Sequence, residues 1–387
     1  MRIRRLNAED LADVLTVEYA FSQSPMPEEA RAKWRDSILK YEADHLTLAI
    51  DEDGAKVAEA TAIPMRQNVR GSVLPMAGVA AVAAQPQVRR RGYIRALVTE
   101  LLGQMRDSGH VLSALYPFRP SFYGKFGFVG MPKPRTARFD PAGLAELVRT
   151  ELDGTVDWQP IGTGYPNHRE ITERLLAQRH GFAIFPESRD VRLRDKDDRW
   201  IVTAKSGGEV VGAAMYRMKT EGNALEAYSM LFTSEVGRAL LLRFFAMHVD
   251  QVDAVVVPVA PDELPELWGT DLAVGVEAKP TWSVAPMARV LSVEALAGMA
   301  VGPGRVGIEI VDDPFIAGKY MLDGTSGRLE VTSGDPTVTL TAAGFAGLVY
   351  GALTPEDVVL RGFGTIPEPG ELARLFPRRL PYFFAEF

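Results

Sequence analysis

Val82-Ala83-Ala84-Gln85-Pro86-Gln87-Val88-Arg89-Arg90-Arg91-Gly92-Tyr93-Ile94 reads as the end of a buried strand, a basic turn with one glycine, and the start of a helix. Ile94, Leu97, Val98, Leu101, Leu102 and Met105 keep the i, i+3, i+4, i+7 spacing of one apolar helix face. The helix N-terminus therefore falls in the Arg-Arg-Arg-Gly turn. Free backbone N–H groups and the positive end of the helix dipole gather there, which suits an anion. Three adjacent guanidinium groups can pair with phosphate, and Gly92 lets an anion approach the backbone. Nucleotide-like ligands dock where strand ends meet helix N-termini in α/β sheets. The turn thus reads as a pyrophosphate cradle; the alternative is a solvated basic turn. Neither G-x-x-x-x-G-K-[ST] nor G-x-G-x-x-G is present in the segment.

The chain has 387 residues, room for two or three domains at about 150 residues each. Hydrophobic residues make up 47% of it, enough for a sizeable core. With 43 basic against 50 acidic residues the net charge is −7, which argues against a general nucleic-acid binder. An acidic surface draws cationic amines by long-range steering. With no cysteine, disulfides, thiolate zinc sites and cysteine nucleophiles are excluded. The 5 histidines lack ligand spacing, so no metal is expected. The N-terminus carries no apolar signal core, and no run of 18 apolar residues occurs, so a cytoplasmic protein without membrane spans is expected.

Three regions follow from the pattern. Residues 1–135 read as strand, helix, helix, hairpin, strand, helix, strand, with the hairpin turn at Asp53-Gly54 and the exit at Pro132 and Pro134. Residues 136–287 repeat this order: strands flank Gly207-Gly208, and Tyr228–Phe232 leads into a helix that starts near Ser234. The arginines are missing from that second turn, and Glu235 would repel a pyrophosphate. Residues 288–387 read as short strands around 305–311, 318–322, 328–332 and 337–341, then helical segments around 342–353 and 371–376.

The arginine turn resembles motif A of the GNAT acetyltransferases, [Q/R]-x-x-G-x-[G/A], with Arg89, Gly92 and Ile94 at its defined positions; Ile94 departs from the usual Gly or Ala. Ser121-Phe122-Tyr123-Gly124-Lys125-Phe126-Gly127-Phe128 and the ending Tyr382-Phe383-Phe384-Ala385-Glu386-Phe387 are similar to the enhanced-intracellular-survival branch of that family. The resemblance implies an α+β fold of tandem GNAT units, 1–135 catalytic and 136–287 degenerate, followed by a sterol-carrier-like domain over 288–387. It implies a homo-hexamer as well.

What the resemblance implies chemically is transfer of acetyl from acetyl-coenzyme A, as co-substrate, to a primary amine of a small cationic molecule, aminoglycoside- or polyamine-like. The backbone of Val82, Ala83 and Ala84 and the turn Arg89, Arg90, Arg91, Gly92, Tyr93 and Ile94 would hold the coenzyme. Tyr123 matches the general acid; a phenol is protonated at neutral pH and can donate to a leaving thiolate. The α-carboxylate of Phe387 matches the general base. Phe21, Trp34 and Glu386 align with acceptor-pocket positions, aromatics with a carboxylate suiting a cation. Gln23 replaces an expected acid, and Ala80 and Ala81 leave room near the thioester. Two other readings stay open: a protein lysine acetyltransferase, and a non-catalytic coenzyme-A or lipid sensor.

Overall fold

The computed structural model describes residues 2–22, 24–42, 44–195, 198–219, 222–278 and 285–387. Strands β1 (Arg2–Arg5), β2 (Leu46–Glu52), β3 (Ala55–Val69), β4 (Ser72–Ala84), β5 (Leu112–Leu115) and β6 (Val129–Gly130) come first along the chain. Next come β7 (Arg135–Phe139), β8 (Thr155–Pro160), β9 (Ala183–Ile184), β10 (Trp200–Ser206), β11 (Glu209–Lys219), β12 (Ala224–Phe232), β13 (Ala254–Val259) and β14 (Val274–Ala278). The last are β15 (Met287–Val290), β16 (Arg305–Val311), β17 (Gly318–Asp323), β18 (Glu330–Thr332), β19 (Val338–Thr341) and β20 (Gly364–Thr365).

Among the described residues these strands form three sheets. The first runs β1-β2-β3-β4-β5-β15-β6 with β9 on the far end of β3, and the second runs β14-β7-β13-β12-β11-β10-β8. The third runs β18-β17-β16-β19-β20. The first two follow the same plan. An antiparallel meander leads to one parallel pair, β4 with β5 and β12 with β13, and a helix crosses over between its strands. A parallel pair needs such a crossover. The two hairpins expected at Asp53-Gly54 and Gly207-Gly208 form, and all four turn residues have positive φ. That is the two-residue turn whose twist matches the strands.

The two units exchange strands. β7 leaves the first unit through Pro132 and Pro134 and pairs in the second sheet, between β13 and β14. β15 returns from beyond the second unit and inserts between β5 and β6 of the first. The boundary expected at 287/288 therefore cuts a strand of the first sheet, and the third sheet begins later, at Arg305. In the third region the helix expected over 342–353 ends at Val349, and a further helix, Pro355–Leu360, follows it.

The helix Tyr93–Asp107 buries Tyr93, Leu97, Val98, Leu101, Leu102 and Met105 on one face of the first sheet. The other face shares a core with the third region: Ile63, Met76, Leu112 and Val290 pack with Phe345, Leu348 and Val349. All three regions meet at Arg70. Its guanidinium donates to the carbonyls of Val349 at 2.6 Å, Leu348 at 3.2 Å and Pro377 at 2.9 Å, and its N–H donates to His180 Nδ1 at 3.0 Å. No helix among the described residues is long and apolar enough to cross a membrane.

Candidate active site

The site begins with a mismatch in strand length. β4 pairs with β5 only from Met76 to Val79, yet β4 runs on to Ala84. Beyond Val79 the β4 edge that faces β5 has no strand partner among the described residues. On its other edge β4 carries a bulge. Glu59 pairs with Ala83 and Thr61 with Ala80, so Ala81 and Val82 stand opposite the single residue Ala60. Ala81 sits at φ 50°, a left-handed conformation unusual for a residue with a Cβ. A bulge takes a residue out of the ladder and re-aims its backbone groups. Strained backbone of this kind concentrates at functional sites.

The free edge leads into the arginine turn. Arg90 (φ 65°) and Gly92 (φ 86°) are both left-handed, and Gly92 starts the helix with no side chain capping it. Nothing lies within 4 Å of where a Gly92 Cβ would stand, so the space over the turn is open. The three arginines are not equivalent. Arg91 is held by Glu52 through two bonds of 2.7 Å, and the Tyr93 hydroxyl donates to the same carboxylate at 2.9 Å. Arg89 stacks over Tyr19 at 5.7 Å, and neither it nor Arg90 has a carboxylate partner among the described residues. The Tyr93 ring is buried in the core and lies under Arg91, 5.2 Å from its guanidinium. Ile94 is half-buried against the core.

Tyr123 ends the short helix Pro120–Tyr123 and is buried among Phe118, Phe122 and Phe128. Its hydroxyl has no hydrogen-bond partner among the described residues, and burial pushes the phenol above its ordinary pKa. The tail docks by aromatic contacts: Phe384 stacks on Phe182 at 4.7 Å, and Phe383 packs on Tyr350 at 5.9 Å. Phe387 lies edge-on to Tyr116 at 5.6 Å and to Phe185 at 6.2 Å, with its ring over Gly78 of β4. The Tyr116 hydroxyl donates to the Ala385 carbonyl at 3.2 Å.

A cavity of about 220 Å³ opens beside the bulge. Phe21, Trp34, Ala80 and Ala81 line it together, as do Ile63 and the second unit's Arg189. Ile63 is the cross-strand partner of Gly78, so the Phe387 ring abuts this wall. Glu386 is not on the lining; its charge bears on Tyr116 and Tyr382 instead. Gln23 lies outside the described residues. Sequence reading missed the polar part of the wall: Glu59, His45, Glu42 and Asp13, with Thr47 and Thr61. Only Glu59 left a signal, as an acid inside the apolar run Val57-Ala58-Glu59-Ala60.

The second unit has the same mismatch, since β12 outruns its parallel pairing with β13. The cavity there is only about 30 Å³, with Trp268, Tyr382 and Arg179 among its lining residues. The helix Glu235–Ala246 is capped by Ser234, whose side chain accepts from Gly237 N–H at 3.2 Å. Glu263 accepts from Arg238 at 2.6 Å and from the Trp268 indole at 3.1 Å. A capped helix end beside a half-buried carboxylate is a poor place for a phosphate.

Residues 2–130 match the acetyltransferase (GNAT) domain family. The chain is 36% identical over 112 residues to N-acetyltransferase Eis of Mycobacterium tuberculosis, a stretch covering 26% of this chain and 28% of that relative. The match thus spans less than a third of the relative's own length. Among solved structures, a GCN5-related N-acetyltransferase from Kribbella flavida superposes with a TM-score of 0.83 at 22% identity, covering 100% of this chain and 98% of the other. Eis1 from Mycobacterium abscessus superposes at 0.78 with 20% identity, over 100% of both chains. These two likenesses concern the fold alone.

Proposed function

On the premise that residues 2–130 form a GNAT acetyltransferase domain, we propose that the chain is an acetyl-coenzyme-A-dependent N-acetyltransferase acting on a primary amine of a small cationic substrate, aminoglycoside- or polyamine-like. The observation that carries this reading is the free β4 edge, which joins an uncapped basic helix N-terminus at one end to a cavity at the other.

The turn's main-chain amides with Arg89 and Arg90 suit a pyrophosphate. The edge at Val82, Ala83 and Ala84 suits a pantetheine arm, with its alternating donors and acceptors. When bound there, the coenzyme supplies an acetyl thioester. Backbone N–H groups around Val82 serve the oxygen on which negative charge develops. Acetyl transfer forms a bond from nitrogen to the acetyl carbon and breaks the bond from that carbon to sulfur. Tyr123 gives its proton to the sulfur. The α-carboxylate of Phe387 takes the proton from the nitrogen, a role that requires Phe387 to be the last residue of the working chain. The position of its ring beside Ile63 supports this assignment.

The second unit is read as a degenerate GNAT unit that supports the first. The sterol-carrier-like region supplies the tail. Homo-hexameric assembly and a cytoplasmic location stay with the reading as expectations from the resemblance.

The test is release of free thiol from acetyl-coenzyme A, followed with a thiol dye over aminoglycosides, polyamines and lysine peptides. The chain has no cysteine to react with the dye. Amine-dependent release is expected. Silence across the panel, with coenzyme binding seen by calorimetry, would favour the sensor reading.

A further inference from the structure

β15 alternates between two apolar cores. Ala288 and Val290 face the core shared with the third region, whereas Met287 and, just past the strand, Leu291 face the helix Tyr93–Asp107. Between these last two stands Arg289, where the pattern asks for an apolar side chain. Its side chain is 1% exposed. Nη2 donates to both carboxylate oxygens of Asp313 at 3.0 Å, and Nε donates to the Val290 carbonyl at 3.2 Å. Nη1 donates to the Phe126 carbonyl. Asp313 is held in turn: its Oδ1 accepts from the N–H groups of Phe315 at 3.0 Å and Ile316 at 3.1 Å.

Phe126 belongs to the turn that carries Tyr123. The turn closes on itself through Gly127 N–H to the Gly124 carbonyl at 3.1 Å and Phe128 N–H to the Tyr123 carbonyl at 3.4 Å. Among the described residues, the bond from Arg289 is the one side-chain hydrogen bond to residues 120–128. The same guanidinium lies 5.9 Å from the Phe128 ring, which packs edge-on against Tyr123 at 6.2 Å. Gly127 presses on the pair as well: a Cβ there would stand 3.1 Å from Asp313 Oδ2 and 2.8 Å from Ala342 Cβ. A buried ion pair is weak evidence for stability, because drying both charges offsets their attraction. Apolar side chains could fill this space, but they could not hold a carbonyl in a set place as a rigid fork of donors does.

We propose that Arg289, oriented by Asp313, is a positioning residue for Tyr123: it holds the turn by the Phe126 carbonyl so that the phenol keeps its place in the site. This rests on the acetyltransferase reading above, with Tyr123 as the general acid, and deepens it. The third region then has two tasks at the site. It supplies the tail, and through Asp313 it fixes the turn of the acid.

The experiment is a double-mutant cycle on the full chain, read as thiol release. Arg289→Met with Asp313→Ser removes both charges at once and leaves a hydroxyl to accept from the Phe315 and Ile316 N–H groups. No unpaired charge stays buried, so the melting temperature should hold within a few degrees. Its kcat should fall about tenfold to a hundredfold, the cost of misplacing a reacting group by about 1 Å, with coenzyme affinity within about twofold. In the Tyr123→Phe background the same pair of substitutions should cost less than about twofold more, since a residue acting through Tyr123 has nothing left to position. Additive losses, or an unchanged kcat in the Tyr123 protein, would overturn the proposal. Arg289→Lys keeps a charge for Asp313 but loses the fork; it should show the same non-additivity and covers the case where the paired substitution does not fold. Full turnover in Tyr123→Phe alone would sink the acid reading and this proposal with it. Hydrogen exchange answers even if no amine releases thiol. The amides of Gly127 and Phe128 should exchange faster in the variants while the helix Tyr93–Asp107 keeps its protection, and an equal rise in both places, or none, would overturn the anchor.

Discussion

The ring of Phe387 occupies the space that a side chain on Gly78 would need: its Cε2 and Cζ lie 2.5 and 2.7 Å from the position of a Gly78 Cβ. The last residue of the tail is therefore seated on the strand whose free edge forms the candidate coenzyme site. Gly78→Ala should push the ring away from Tyr116 and Phe185 while leaving the rest of the sheet in place. Misplacing a reacting group by about 1 Å can cost on the order of a hundredfold, so thiol release should fall tenfold or more. Overpacking should lower stability by about 1–3 kcal/mol. Parallel melting curves separate the two effects, and full turnover in Gly78→Ala would detach Phe387 from the chemistry. Where Phe387 ends the working chain, adding one glycine after it is the companion experiment, since that converts the carboxylate into an amide and should abolish turnover.

Tyr123→Phe makes a cleaner test than most tyrosine substitutions. The Tyr123 hydroxyl has no partner among the described residues, so its removal strands no buried group. The melting temperature should not move. Turnover should drop about a hundredfold or more, the usual weight of a positioned general acid. Coenzyme affinity, read by calorimetry, should hold within about twofold. A variant with undiminished turnover would remove Tyr123 from the mechanism.

The arginine turn divides into two roles. Arg91 already spends its guanidinium on Glu52, whereas Arg89 and Arg90 have no carboxylate to neutralise them among the described residues. Arg89→Ala and Arg90→Ala should each weaken acetyl-coenzyme A binding about tenfold, with less salt dependence than the unsubstituted protein shows. Arg91→Ala should weaken binding less and lower the melting temperature slightly. Equal effects from all three would mean that Arg91 leaves Glu52 when the coenzyme binds.

Local signals in the sequence located part of this site. Asp53-Gly54 marks its hairpin because the turn needs two residues at positive φ, and the arginine turn marks a helix start because the apolar spacing begins after Gly92. The bulge at Ala81 left no signal, since alanine is not a residue that seeks a left-handed conformation. The insertion of β15 beside β5 joins segments far apart in the chain, so no local pattern records it. The polar wall escaped for the same reason. His45, Glu59 and Arg189 come from a turn, a strand and a short helix of the second unit, and only folding brings them to one cavity.

His180 gives the molecule a pH dependence at the junction of its three regions. Its Nδ1 accepts from the Arg70 N–H at 3.0 Å, so the ring proton sits on Nε2, 2.8 Å from the Tyr350 carbonyl. Burial, with the charges of Arg70 and Arg379 adding to it, pushes the imidazole from 6.5 down to about 4. The unfolded chain therefore binds this proton more readily than the folded one between those values. Stability is complete above about 6.5 and is lost as pH falls through the window toward 4. The full loss is about 3 kcal/mol, and about 2 kcal/mol of it has gone by pH 5. His45, also pushed down to about 4, adds in the same direction. Glu59, raised by burial, opposes them. Urea midpoints at pH 7 and pH 5 measure the sum. His180→Gln should be less stable at pH 7 yet lose about 2 kcal/mol less on acidification. An unchanged pH slope in that variant would mean that His180 is not the group whose protonation loosens the junction.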